Sequence, residues 1–154
     1  MPRPSPATAK ADAAAPPRPA AAPAPITMPQ GLPGFPGMTR YALGPLPSAE
    51  RFLRLQAEDP NGPSFVVLPA DEAGAGALLD PAALAEARDA AGLDGAGEVA
   101  VLFVITSTRE ADGRLRLFAN RRAPILVDTR RQTAFQVVLA RPDYPVREPL
   151  LAAA

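Results

Sequence analysis

Two pairs of neighbouring carboxylates, Glu58-Asp59 and Asp71-Glu72, are the residues best suited to acid–base work or to holding a hard cation. Neither pair has the alternating ligand spacing of a calcium loop. Adjacent residues in an extended chain also point to opposite sides, so both pairs read as solvated turn charges. Ser48, Ser64 and Ser107 have no histidine to activate them, because the chain contains none, and the single lysine, Lys10, lies near the start. Cysteine and tryptophan are absent too. Histidine-based catalysis, thiol nucleophiles, disulfides and His/Cys zinc sites are thereby excluded. Gly92-Leu-Asp-Gly95-Ala-Gly97 follows a helix and precedes a strand, the reverse of what a dinucleotide fingerprint needs, and Gly74-Ala-Gly76 has no Lys-Ser/Thr after it. The residues therefore assign no catalytic centre, no cofactor and no metal.

Two arginine pairs remain, Arg121-Arg122 and Arg130-Arg131, on either side of an apolar strand. Hairpin geometry could bring them together as a site for RNA phosphate or for an acidic protein patch. Base stacking has little to work with, since Phe118 and Phe135 both fall in core-like strand patterns. Solvated hairpin charge is the plainer reading.

The elements that must position these residues are short strands. Phe65-Val-Val-Leu68 is a β-forming run closed by Pro69, and 98–106, from Glu98 to Thr106, is apolar without interruption between those two ends, as expected of a strand buried on both faces. Asp112-Gly113 is a hairpin signal. After it, Arg114-Leu-Arg-Leu117 alternates, which predicts leucines on the core and arginines outside. Segments 125–127 and 133–139 are two further strands joined by the polar turn 128–132, and the four strands from 98 onward read as an antiparallel meander. One helix is expected: Asp80 as N-cap, Pro81 in the first turn, Gly92 at the end, and Leu79 stapled to Leu84. Its exposed Glu86, Arg88 and Asp89 would place it across a barrel opening or a sheet edge.

The chain has 154 residues and zero formal charge, 16 basic against 16 acidic. Residues 1–25 hold eight of the 21 prolines and ten alanines, a composition that predicts a disordered Pro/Ala tail. Residues 26–150 form the expected domain and 151–154 a short C-terminal tail. Segment 41–100 carries ten acids against three arginines, whereas 101–150 carries nine arginines against five acids. The neutral total argues against a dedicated nucleic-acid binder. No apolar run is long enough to span a membrane, and the proline-broken start has no secretory apolar segment. The expectation is a cytoplasmic protein with an all-β, small antiparallel barrel-like domain and one short helix.

Five segments carry a resemblance. Gly31-Leu-Pro-Gly34-Phe35 is similar to a Gly-Leu-x-Gly-Phe opening, and Leu55-Gln-Ala-Glu58-Asp59-Pro60 with Ser64-Phe-Val-Val67 to a Leu-Gln-Ser-x-Asp-Asp-Pro-x-x-Ala-Phe segment. Asn120-Arg-Arg-Ala123-Pro124-Ile125, Gln136-Val-Val-Leu139 and Tyr144-Pro-Val-Arg147 follow in order. Together they resemble the flagellar assembly factor FliW family from about 26 to 150. The resemblance implies a pseudobarrel fold without catalysis. It also implies a monomer when free that binds flagellin in the cytoplasm and antagonises the translational regulator CsrA, with no direct contact to nucleic acid or membrane. An RNA-binding β domain using the arginine hairpins, and an enzyme or flavin-binding barrel, are the alternatives. Glu58, Asp59, Asp71 and Glu72 are the candidate acidic docking residues, and Asn120, Arg121 and Arg122 a second candidate contact. Tyr144-Pro145 is expected to close the barrel, with Arg147 available to a buried carboxylate.

Overall fold

The computed structural model describes residues 23–47, 49–70, 78–93 and 97–150. The expected tail lies outside these up to residue 22, as do Asp71, Glu72 and Gly74-Ala-Gly76. In chain order the elements are β1 (Ala24–Thr27), β2 (Arg40–Pro45), β3 (Leu53–Ala57), β4 (Ser64–Pro69), α1 (Pro81–Ala90), β5 (Val99–Arg109), β6 (Leu115–Ala119), β7 (Ile125–Asp128), β8 (Thr133–Gln136) and β9 (Glu148–Pro149). β1 takes in Ala24 and Pro25, two residues whose composition matched the tail. Seven strands, in the order β4-β3-β2-β1-β8-β7-β5, close into a barrel through β4–β5 pairing. Closure leaves the barrel strands no free outer edge along most of their length. Every pair is antiparallel except β1–β8, which meet in parallel at Thr27 and Thr133.

Alternation along the strands divides the buried side chains into two cores. Ile26, Met28, Leu32, Tyr41, Leu55, Val67, Leu102, Ile125 and Val127 form one cluster. Leu68, Val101, Phe103, Ile105 and Leu126, the alternate residues of the same strands, form the other with Leu79, Ala83, Ala87 and Leu93 around α1. The stretch Val101–Ile105 of β5 therefore has both faces covered, which is why it is apolar without a break, whereas Thr106–Arg109 run out into solvent. α1 lies over the outer wall of the barrel, on β4, β5 and β7, and not across an opening or an edge. Ala83 and Ala87 are the buried residues of its inner face.

The helix ends as its sequence predicts. The Asp80 side chain accepts from the Ala83 N–H at 2.8 Å, and Pro81 occupies the first helical position. At the other end Gly92, at φ +73°, bonds to Asp89, and Leu93 N–H reaches back to Arg88 C=O at 2.8 Å, the two bonds of a Schellman motif. Glu86 is not a free surface charge. It holds Arg141 at 3.0 Å and accepts the Ala140 N–H at 3.0 Å.

The meander reading fails at one point. Ile105 pairs with Val66 on one edge and Ala119 on the other, and Leu102 pairs with Pro69 and Ile125 in the same way. β6 and β7 thus lie end to end along a single edge of β5 and do not pair with each other. Between those two pairs β5 advances three residues and the facing chain six, so three surplus residues bulge outward. Leu115 also departs from expectation, being 55% exposed, because β6 has only β5 and the short β9 beside it.

Candidate functional site

The surplus residues sit in segment 120–124, and the polar groups it contains are spent on building a loop scaffold. Asn120 N–H donates to Val104 C=O, and its side-chain oxygen accepts the Ala123 N–H at 3.1 Å. Arg121 Nε donates to Leu78 C=O at 2.8 Å, its Nη1 meets Glu148 at 3.3 Å, and its guanidinium stacks 4.1 Å from the Tyr144 ring centroid. Arg122 Nε donates to Tyr144 C=O at 2.8 Å and Nη2 to Pro142 C=O at 3.0 Å. Pro124 is fully buried at the start of β7, where its missing N–H costs least.

Tyr144 is the hub that joins this segment to the helix. It is 2% exposed, and its hydroxyl donates to Asp80 Oδ2 at 2.8 Å while accepting the Asp80 N–H at 3.3 Å. Arg141 bridges Glu86 and Asp80. The 140–145 loop is thereby strapped to α1. Arg147 does not reach a buried carboxylate; it stacks 4.1 Å above the Phe118 ring. Among the described residues the buried carboxylate is Asp128, which caps the β7–β8 turn by accepting the Arg130 and Arg131 N–H groups and pairing with the Arg131 side chain.

These bonds shift three acids in one direction. The Ala83 N–H and the Tyr144 hydroxyl hold Asp80 below the usual carboxylate range. The Ala140 N–H and Arg141 do the same for Glu86, and the Arg131 N–H leads for Asp128. All three bind protons less readily when folded, so their contribution to stability is complete above the ordinary carboxylate range and is lost as pH falls through it and below. The melting temperature is expected to hold steady from pH 7 to about pH 5 and to drop below that. In a thermal melt series, Glu86→Gln should flatten the acid limb. A melting temperature unchanged down to pH 3 would show that the strap carries no stability.

Between the bulge, the start of the 32–39 segment and the 142–147 loop lies a groove of about 400 Å³. Leu32, Pro33, Phe65, Val104, Ala123, Val138 and Val146 supply apolar lining, and Asn120, Arg122 and Gln136 the polar groups. Val138 and Val146 are 68% and 52% exposed, two of the four large apolar side chains that face solvent among the described residues. A third, Phe35, packs edge-on against Phe65 with ring centroids 6.3 Å apart. Such clustering marks a binding surface more often than chance exposure does.

Of the residues singled out in the sequence, Asn120 and Arg122 line this groove, while Arg121 is committed to Leu78, Tyr144 and Glu148. Glu58 and Asp59 lie elsewhere, in a shallow depression of about 490 Å³ with residues 37–40 and Pro60. There the Asp59 carboxylate accepts the Asn61 N–H at 2.9 Å. Arg130-Arg131 lie at the β7–β8 turn, at the opposite end of β7 from Arg121-Arg122, so the two pairs do not form one basic site. Sequence reasoning missed Val138 and Val146. The only signal was Val137-Val138-Leu139, where strand alternation forces one of three neighbouring apolar residues outward. Among the described residues no group of three or more acids could hold a metal ion, and no helix is long and apolar enough to cross a membrane.

A search of curated protein sequences returns no match. Among solved structures, the crystal structure of a flagellar assembly factor FliW superposes with a TM-score of 0.59 at 20% sequence identity, covering 82% of this chain and 84% of that one. That likeness shows the fold. The family model for FliW protein matches residues 17–150, which takes in the barrel, the helix, the bulge and the groove, and the chain belongs to the FliW family.

Proposed function

We propose that this protein is a flagellar assembly factor that binds flagellin in the cytoplasm and antagonises the translational regulator CsrA, so that flagellin synthesis follows filament assembly. Family membership over nearly the whole domain is the observation that carries the reading. The surface is consistent with it, because it offers an apolar groove fit for a protein segment. Mass action supplies the mechanism, because a binder shared by two partners is partitioned by their concentrations and affinities. When flagellin leaves the cell, the freed factor occupies CsrA and the flagellin message is released for translation. Glu58 and Asp59 are the described residues suited to a cationic regulator, and Asp71 and Glu72 are proposed alongside them.

The RNA-binding alternative would use the arginine hairpins, and the separation of the two arginine pairs weighs against a joint basic site. The test is a pull-down with the tagged full-length chain from its native cytoplasm, read by mass spectrometry. Flagellin and CsrA are the expected proteins. Recovery of neither by a folded bait contradicts the proposal, and RNA in their place would favour the alternative.

A further inference from the structure

Beyond Thr133, the edge of β8 that faces β1 is not used by the barrel. On that side β1 meets it only at Thr133, after which the β1 chain turns away into the 28–38 loop. On the other side the pairing runs past the end of the strand: Val137 N–H donates to Pro124 C=O at 3.0 Å and Leu139 N–H to Arg122 C=O at 2.8 Å. N–H and C=O groups alternate between the two edges of a strand, so those of Gln136 and Val138 point away from β7. Neither N–H has a backbone partner among the described residues. The same two residues line the apolar groove, beside Leu32 and Phe65. Arg122 lines it too, and both of its hydrogen bonds go to neutral carbonyls, with no carboxylate among the described residues to balance its charge.

An unpaired strand edge, an apolar groove and an unbalanced guanidinium select one kind of ligand. We infer that the groove is a strand-addition site for an extended segment of a partner protein, apolar at alternate positions and carrying an Asp or Glu carboxylate that meets Arg122. The main-chain bonds go to Gln136 and Val138, the apolar side chains rest on Val138, Val146 and Phe65, and the carboxylate sets the register.

The protein's own termini fit the site poorly. Residues 1–22 are cationic and hold six prolines, which supply no N–H. Leu150 N–H bonds to Leu117 C=O, so at the other end the chain is heading along β6, away from Arg122. Edge-to-edge pairing with a second copy would bring two unbalanced Arg122 side chains into one interface. The inference does not depend on which protein the partner is.

The test uses the full-length ¹⁵N-labelled chain and synthetic peptides of about nine residues, alternating Val and Thr, with Glu, Lys or Ser at one central polar position. The Glu peptide should bind about tenfold or more tightly than the Lys peptide, as a charge-assisted contact requires. Binding should slow hydrogen exchange at the Gln136 and Val138 amides. Val138→Lys, at a site 68% exposed and thus tolerant of change, should weaken binding about tenfold or more, as should Arg122→Gln. The inference is overturned if no peptide binds below about 1 mM, if Glu and Lys peptides bind alike, or if those two amides stay unprotected. It is also overturned if they become protected without peptide as protein concentration rises, which would assign the edge to a second copy.

Discussion

Tyr144→Ala is expected to lower the stability of the domain by about 3–5 kcal/mol, and Tyr144→Phe by about 1–2 kcal/mol. The difference between the two separates packing from hydrogen bonding at one site. Tyr144 is almost wholly buried in the cluster shared with Phe103, Leu126, Val137 and Leu139. Removing the ring empties that space and takes the stacking surface from Arg121. Removing only the hydroxyl keeps the packing, but it leaves the Asp80 N–H without its partner at the mouth of the helix and the Asp80 carboxylate short of one donor. The effect should extend beyond stability, because Arg122 is held by the Tyr144 carbonyl and forms part of the groove. Urea unfolding with an unchanged slope would read both values directly. A loss of less than about 1 kcal/mol for Tyr144→Ala would mean that the strap between α1 and the 140–145 loop is not part of the cooperative unit.

The second large effect separates two glycines of one motif. Gly31 has φ +66°, and a Cβ placed on it would stand 2.5 Å from Phe35 C=O oxygen and 2.7 Å from Pro36 Cα. Both are backbone atoms that cannot rotate away. Gly34 has φ +90°, and a Cβ there meets nothing within 4 Å. Gly34→Ala therefore costs only the left-handed backbone, about 1 kcal/mol, whereas Gly31→Ala adds the collision and should cost about 2–4 kcal/mol. Relief of that collision must move the 32–36 segment, which carries Leu32 and Pro33 of the groove wall and Phe35 against Phe65. Thermal melts of the two variants check the ranking. Equal losses would show that the tight 28–36 turn is not held as described.

Much of the fold was legible because local signals agreed with the tertiary outcome. The unbroken apolar run of β5 could only be a strand covered on both sides. Asp80, Pro81 and Gly92 marked the two ends of α1 by capping chemistry that needs no distant partner. The helix's location was not legible, because Glu86 reads as a surface charge until Arg141, 55 residues later, comes to meet it. The broken strand was hidden for a similar reason. Residues 115–119 and 125–128 each look like independent strands, and only the register against β5 shows them sharing one edge with three residues thrown out between them. The docking surface was the least legible part. Arg121 and Arg122 are neighbours of the same type, yet one is stacked and ion-paired within the fold while the other faces a groove and has no ion-pair partner among the described residues. Val137, Val138 and Leu139 differ in exposure only through alternation. The acidic pairs gave a charge pattern and no position, and the structure describes one of them, Glu58-Asp59, at a depression separate from the groove residues.

The most direct test of the account is the binding of purified flagellin to the purified full-length chain by isothermal titration, followed by addition of purified CsrA. The account predicts a saturable complex with flagellin and, when CsrA is titrated against it, competition between the two for the same factor. A folded chain that binds flagellin with no measurable heat or shift, and CsrA likewise, would contradict it and leave the family's fold without the family's role.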